Sequence, residues 1–251
     1  MNQNINTFLE IDASRAKCKI SPLIYGNFIE FITDCINKGI WAEMLLNRGF
    51  ENPDNNGDGI SDPWYPVGFN DMFIYRMDEN EVFNSKYSQN IEIINHYGGY
   101  RGIAQSNLKF FKGECYRGYI WLKASNSEIL VEINIKTKAG TVLFNKKYKN
   151  PAAKWEKYDF IYQCENDCDD GVFEINMHGE GNIWLDQVSM MPESAVDGVW
   201  KEVVRAAKDL KPGGIRFPGG CFADCYHWED GIGPRDKRPT RENLHWKGNE
   251  E

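Results

Sequence analysis

The sequence predicts a mixed fold, an α/β framework interrupted by an all-β unit, and three observations carry that prediction. Residues 196–210 place Val199, Trp200, Val203, Val204, Ala207 and Leu210 at three- and four-residue steps. That spacing is an amphipathic helix, and Lys211 and Pro212 lead out of it into the β-prone run Ile215–Phe217. Between Pro66 and Pro192, by contrast, β-rich pieces recur about every ten residues with no helix between them, the pattern of an antiparallel sandwich. Finally, Gly213–Pro234 reads GGIRFPGGCFADCYHWEDGIGP. Its strand stops at Pro218, Gly219 and Gly220, and a loop dense in polar and aromatic groups follows. Helix, strand and functional loop make one repeat of an α/β barrel or of a doubly wound sheet.

Taken in order, Thr7–Ile11 and Lys17–Ile20 alternate weakly and predict two small strands. Ile24 and Tyr25 end at Gly26, and Phe28–Phe31 continues mostly apolar with one carboxylate, Glu30. A lone buried carboxylate is costly unless it is paired or used, so Glu30 is either a satisfied core acid or a site residue. Ile40–Leu46 predicts a helix, closed by Asn47–Phe50. The composition then shifts to ENPDNNGDGISDPWYPVG, where Asp54, Asn56, Asp58 and Asp62 stand in the order D-x-N-x-D-G-x-x-D. Such oxygens could gather on calcium, which takes roughly 6 to 8 of them. The distal bidentate glutamate is missing, and a turn linker without metal is the plainer reading of these residue types.

Tyr116–Ala124, Ile129–Thr137, Thr141–Tyr148, Trp155–Gln163, Val172–His178 and Asn182–Met190 are the predicted strands of the β unit. Neither flanking α/β piece has enough elements to fold alone, so the β unit reads as an insert. The expected division is 1–58, with the N-terminal strands and a first βα unit, then 59–192, the sandwich, and then 193–251, a helix, a second strand and the loop. A complete barrel needs about 250 residues by itself, and only about 110 lie outside the insert.

Composition narrows the functional classes. Of 251 residues, 41% are hydrophobic and 26% charged, ordinary for a globular protein. A net charge of −8 with no basic cluster excludes a nucleic-acid groove. The 8 Trp and 12 Tyr are a high count, and such rings stack on sugar faces as well as filling cores. The N-terminus lacks the charged and apolar regions of a secretory signal, and no apolar run approaches the roughly 18 residues of a membrane span. Reduced thiols and a cytoplasmic location are therefore expected for the 7 cysteines. Cys164 with Cys168, and Cys221 with Cys225, are spaced CxxxC without the second pair of a zinc site. His96, His178 and His245 have no partner at metal or triad spacing, and neither a GxSxG turn nor a phosphate-binding loop occurs.

Three stretches, SPLIYGNFIEF, GIWAEMLLNRGFE and GGIRFPGGCFADCYHWEDGIGPRDKRP, resemble the N-terminal part of glycoside hydrolase family 51, the intracellular α-L-arabinofuranosidases. YRGYIWLKAS, WEKYDF and GNIWLDQVSMMP resemble the family 4/9 type of carbohydrate-binding module found inside some of these enzymes. The resemblance covers nearly the whole chain; the loop motif is long and specific, the β motif weaker. It implies the first strands of a (β/α)8 TIM barrel interrupted by a jelly-roll sandwich. It also implies retaining hydrolysis of terminal arabinofuranosyl residues in arabinoxylan or arabinan oligosaccharides, and so a place in L-arabinose metabolism. Retention uses an acid/base and a nucleophilic glutamate about 5 to 5.5 Å apart. In the family both follow later barrel strands, so both are expected after Glu251 and no catalytic residue within the chain.

Several pocket positions of the family do fall on these motifs. Glu30 is implied as the acceptor of furanose hydroxyls, a role that suits a rigid strand end. Arg216 is implied beneath the pocket, where its fork would hold a carboxylate charged; a structural ion pair is the alternative. Cys221 is implied against the sugar ring, as a small apolar contact. Trp246 is implied as a wall of the arabinose site, and His227 and Trp228 as contacts from the same loop, or as its packing. No cofactor is required beyond a possible structural calcium. The expected partners are an arabinosylated oligo- or polysaccharide and further copies in a homo-oligomer of the parent, with neither nucleic acid nor membrane. The competing reading is a non-catalytic carbohydrate-binding β-sandwich protein.

Overall fold

Strict alternation along residues 115–124 shows why the middle of the chain is a sandwich. Tyr116, Gly118, Ile120, Leu122 and Ala124 are buried, while Tyr119, Trp121 and Lys123 face the other side. The computed structural model describes residues 8–246 and 248–250. Its first strand, β1 (Asn27–Phe28), precedes ten strands of the sandwich. These are β2 (Tyr65–Phe69), β3 (Met72–Asp78), β4 (Ser88–Asn95), β5 (Tyr100–Phe110), β6 (Cys115–Ala124), β7 (Leu130–Thr137), β8 (Val142–Lys149), β9 (Glu156–Gln163), β10 (Cys168–His178) and β11 (Gly181–Pro192). They form two five-stranded sheets, ordered β2-β5-β10-β7-β8 and β3-β4-β11-β6-β9. Every pairing within them is antiparallel.

Phe173, Ile175, Met177, Ile133 and Ile103 from one sheet, and Ile91, Ile120, Leu122 and Leu185 from the other, fill the space between the layers. Each such side chain contributes about 1.5–3 kcal/mol by leaving water. All six predicted strands of this unit are present with shifted ends, and four more precede them, β2 to β5.

Two sequence expectations fail at the N-terminus. Of the predicted small strands, Thr7 lies outside the described residues, and residues 8–11 and 17–20 form no strand. Phe8 and Ile11 are 92% and 82% exposed, so no neighbouring strand receives their alternation. Nor is Ile40–Leu46 helical. A π-type turn over Ile36–Ile40 gives way to extended chain whose amides are taken elsewhere, Ala42 N–H donating to Gly198 O (2.8 Å) and Met44 N–H to Met190 O (3.0 Å). Tertiary hydrogen bonds here override a local preference.

After the sandwich come the helix α1 (Lys201–Leu210) and then β12 (Ile215–Arg216), which pairs in parallel with β1 through Asn27↔Ile215 and Phe28↔Arg216. A further short pair, β13 (Arg241–Glu242) with β14 (Asn249–Glu250), is antiparallel. Outside the sandwich, the described residues make these two pairs, α1 and single helical turns rather than a continuous barrel sheet. No helix among the described residues is long and apolar enough to cross a membrane.

A buried polar joint ties the flanks to the sandwich. Arg48, 1% exposed, donates to Asp236 Oδ1 (2.6 Å) and to Tyr119 Oη (2.8 Å). Asp236 also accepts from the Tyr119 hydroxyl (2.5 Å) and from Trp121 Nε1 (2.9 Å). Burial alone would raise the Asp236 pKa, but those two hydrogen bonds and the Arg48 charge leave it below its usual value. Glu43 completes the joint, accepting from Ser189 Oγ (2.5 Å) and Met190 N–H (2.8 Å) beside Arg48. Removing one partner from such a buried pair typically costs about 3–5 kcal/mol.

Candidate functional site

Glu30 follows β1 and is 4% exposed, a carboxylate at the end of an apolar run. What satisfies it is the loop after β12. The Phe222 N–H donates to Glu30 Oε1 at 2.7 Å from the first turn of the segment Cys221–Asp224. Gly219, at φ +90°, lies so close that a Cβ there would stand 2.4 Å from the Glu30 Cβ. Only glycine accepts both that backbone conformation and that approach.

Beneath the loop, the Phe31 ring lies tilted 5.1 Å from that of Phe222 and edge-on 6.0 Å from that of Phe217, and Tyr226 closes the cluster against both. The strand–Pro–Gly–Gly signal thus has a physical meaning here: the chain reverses over a carboxylate and is pinned by rings on the other side.

A third segment arrives from the C-terminal side. Asn243 is buried; its Nδ2 donates to Phe31 O (2.8 Å), and its Oδ1 accepts from the amides of His245 (3.1 Å) and Trp246 (2.9 Å). This turn delivers Trp246 to Glu30. The indole N–H of Trp246 is buried and makes no hydrogen bond of full geometry, yet it is near enough to act on the carboxylate. The Glu30 pKa is held below the usual carboxylate value, first by the Phe222 amide, against desolvation, with Trp246, the Gly220 amide and the His245 charge adding to it. An ionised carboxylate is acceptor-only, which is what a set of sugar hydroxyls requires.

The structure brings together Glu30, the Cys221 turn and Trp246, and places the other predicted residues around them. Arg216 pairs in register with Phe28, two residues before Glu30, and its guanidinium lies 5.7 Å from the Phe28 ring centroid. It is exposed rather than held in the interior. Cys221 is also exposed, at the start of the turn that caps Glu30. His227 lines a cavity of about 170 Å³ with Phe31, Phe217, Tyr226 and Arg241, whereas Trp246 lines another of about 520 Å³ with Trp41 and Asn249. Trp228 is 64% exposed on the loop surface. Asn243, which positions Trp246, is the residue the sequence did not single out; one asparagine in a polar tail carries no periodic signal.

The candidate calcium loop does not gather its oxygens. Asp54 accepts from the amides of Gly57 (2.7 Å) and Gly59 (2.8 Å), Asn56 from Asp58 N–H (3.0 Å), and Asp58 from Ile60 N–H (2.9 Å). Asp62 accepts instead from Asn55 Nδ2 at 2.5 Å. These side chains are turned onto the loop's own donors, and among the described residues no group of three or more His, Cys, Asp or Glu is placed to hold a metal. All 7 cysteines, both CxxxC pairs included, are free thiols.

Comparison with known proteins places this arrangement. A family model described as the α-L-arabinofuranosidase 1 domain matches residues 206–251, the stretch that holds the loop and Trp246. α-L-Arabinofuranosidase 1 of Arabidopsis thaliana is 26% identical over 260 residues, covering 95% of this chain and 38% of its own length. An intracellular exo-α-L-arabinofuranosidase of Bacteroides ovatus is 46% identical over 68 residues, 27% of this chain and 13% of that protein. Among solved structures, arabinose-bound MgGH51 α-L-arabinofuranosidase superposes with a TM-score of 0.77 at 19% identity, over 93% of this chain and 41% of that one. The fold, a two-sheet sandwich set between the halves of a parallel strand pair, is therefore shared with the covered part of that solved chain. In particular, the chain is similar to the N-terminal part of the family 51 α-L-arabinofuranosidases. It spans less than two-fifths of the plant relative, at 38%.

Proposed function

We propose that this chain supplies the N-terminal part of a retaining α-L-arabinofuranosidase and contributes its sugar-orienting wall. In this reading β1 and β12 are the first two strands of a (β/α)8 barrel, residues 59–192 are an insert between them, and the acid/base and nucleophilic glutamates come from chain beyond Glu251. Glu30 accepts hydrogen bonds from arabinofuranosyl hydroxyls, Trp246 walls the ring, and Arg216, Cys221, His227 and Trp228 complete the rim. The substrate is an arabinosylated oligosaccharide, and the free cysteines suit a cytoplasmic setting.

One observation carries the reading. A low-pKa carboxylate is locked by a Pro-Gly-Gly turn and approached by an indole within the segment that the arabinofuranosidase domain model matches. The alternative, a binding protein whose only competent unit is the sandwich, leaves this arrangement outside the sandwich without a use. Titrating the chain with L-arabinose by tryptophan fluorescence tests the proposal. Glu30→Gln is expected to weaken binding about 10-fold or more, the worth of a hydrogen bond to a charged group. Equal affinity in the two proteins sinks the assignment of Glu30. Turnover of an aryl α-L-arabinofuranoside by the protein extended with its downstream reading frame tests the enzyme class, and hydrolysis of a xyloside alone reassigns it.

A further inference from the structure

We infer that the sandwich is the positioning support of the Glu30 site, and that Asp236 is the residue through which it acts: by seating residues 235–240 on the sandwich, Asp236 sets where Trp246 meets Glu30. The sandwich is then a structural jig for the sugar pocket rather than an appended module.

The path is continuous and can be followed residue by residue. Asp236 is held by Tyr119 and Trp121, both on the outer face of β6, and by Arg48 from the segment before the sandwich. The next residue, Lys237, places its ammonium 3.7 Å from the centroid of the Phe83 ring, which is itself stacked at 3.9 Å on Trp121. Arg238 O then accepts from Asn84 Nδ2 (2.5 Å), and Thr240 N–H donates to Ser85 Oγ (2.8 Å).

The sandwich loop 79–87 therefore grips this segment at three points after Asp236, namely Lys237, Arg238 and Thr240. That loop is in turn fixed from below, Asp186 accepting from the amides of Phe83 and Asn84 (both 3.1 Å). Glu51 accepts from the amides of Lys86 (2.9 Å) and Tyr87 (3.0 Å). Immediately downstream the chain forms β13 and reaches Asn243, whose side chain places His245 and Trp246 and anchors them to Phe31, the neighbour of Glu30. The return strand β14 is tied back at Asn249, which donates to Asn52 Oδ1 (3.0 Å) and accepts from Asn37 Nδ2 (3.1 Å).

No covalent step or metal enters this account. It needs only that an indole be placed by a chain of contacts and hydrogen bonds whose far end is a partly buried carboxylate. Coupling of this kind travels through contiguous packed and hydrogen-bonded groups, and it is demonstrated by non-additivity rather than by proximity.

The test uses the chain labelled with 5-fluorotryptophan, with the Trp246 resonance identified by its loss in Trp246→Phe. Asp236→Asn keeps the shape of the side chain while weakening its grip on Arg48, and is expected to shift or broaden the Trp246 resonance. Asn84→Ala with Ser85→Ala, which leaves the buried charges intact, is expected to do the same and decides the matter should Asp236→Asn not fold. A core substitution in the other sheet, Ile133→Ala, lowers stability without touching the path and is expected to leave the resonance in place. An unmoved Trp246 signal in the folded Asp236 or loop variants overturns the inference, as does an equal shift in Ile133→Ala.

A second arm rests on the proposed sugar reading. Arabinose affinity read from the Trp246 signal is expected to fall about 5-fold in Asp236→Asn, and the same substitution is expected to change nothing further in a Trp246→Phe background, read by calorimetry. Additive losses overturn the positioning role. Absence of any arabinose response in the wild-type chain counts against the sugar reading alone, because the first arm decides the positioning without a ligand.

Discussion

The sandwich and the segments around it solve the same folding problem in opposite ways. In the sandwich, strands of 5 to 12 residues pair along their length and enclose a shared core. Around it, β1, β12, β13 and β14 are two residues each, and α1 buries none of its side chains. The most exposed apolar groups, Phe8, Leu9 and Ile11, lie in the flanks, although the sandwich also leaves Tyr97, Phe111, Val142 and Ile161 exposed on its outer faces and loops. The sandwich draws its stability from its own layers. The flanks are held by point attachments, the Arg48–Asp236 joint, the loop 79–87 and the Glu30–Phe222 bond.

The largest effect is therefore expected at the centre of the sandwich. Phe173 is fully buried between Trp64 and Phe160. Phe173→Ala should lower the unfolding free energy by about 3–5 kcal/mol, from lost transfer energy and a residual cavity. Urea titration followed by far-ultraviolet dichroism would measure it, and a cost below about 1 kcal/mol, the range of volume-conserving swaps, would mean that the layers repack and that the contrast with the flanks is weaker than drawn.

The next effect tests whether the loop 79–87 belongs to the sandwich's stability. Asp186, buried under that loop, has its pKa pushed up to about 8, because desolvation outweighs the amides of Asn84, Phe83 and Gln187, and Glu51 nearby adds to the rise. In the unfolded chain the same carboxyl returns to an ordinary value near 3.8. Between those values the native state keeps a proton that the unfolded state has lost, so the contribution of Asp186 to stability falls as pH rises from about 4 to about 8 and levels off above. Asp186→Asn removes this titration. The stability difference between variant and wild type should therefore change across the window in the variant's favour as pH rises, by an amount on the order of 2 kcal/mol after allowance for water penetration. A variant with the wild-type slope would place the titration elsewhere.

How far the sequence disclosed all this follows the same division. β6 was readable because one of its faces is dry, which forces alternation into the residues themselves, whereas β11, buried without a break over residues 185–190, shows as a short β-prone run between turn residues. Glu30 was readable because a carboxylate within an apolar run needs a reason. Ile40–Leu46 misled because its apolar residues look helical while its amides bond to positions 190 and 198, a pairing that no local window contains. Asn243, Arg48 and Asp236 were hidden for a related cause. Their roles depend on partners far away in sequence, at Phe31, Tyr119 and Trp121, and a single polar residue gives no hint of which distant group it will meet.

The smallest effect is expected where the flank contributes least. Leu210 ends α1 at 72% exposure, so shortening it removes little buried surface, while alanine is the better helix former. Leu210→Ala should change stability by no more than about 0.5 kcal/mol in either direction, the range of surface substitutions. The same urea titration, run at two protein concentrations, turns this into a sharper question. A loss above about 1 kcal/mol that grows with concentration would mean that another copy covers the helix face, because only association makes apparent stability depend on concentration. The flank would then owe part of its order to assembly, and the contrast with the self-sufficient sandwich would become a contrast between a domain and an interface.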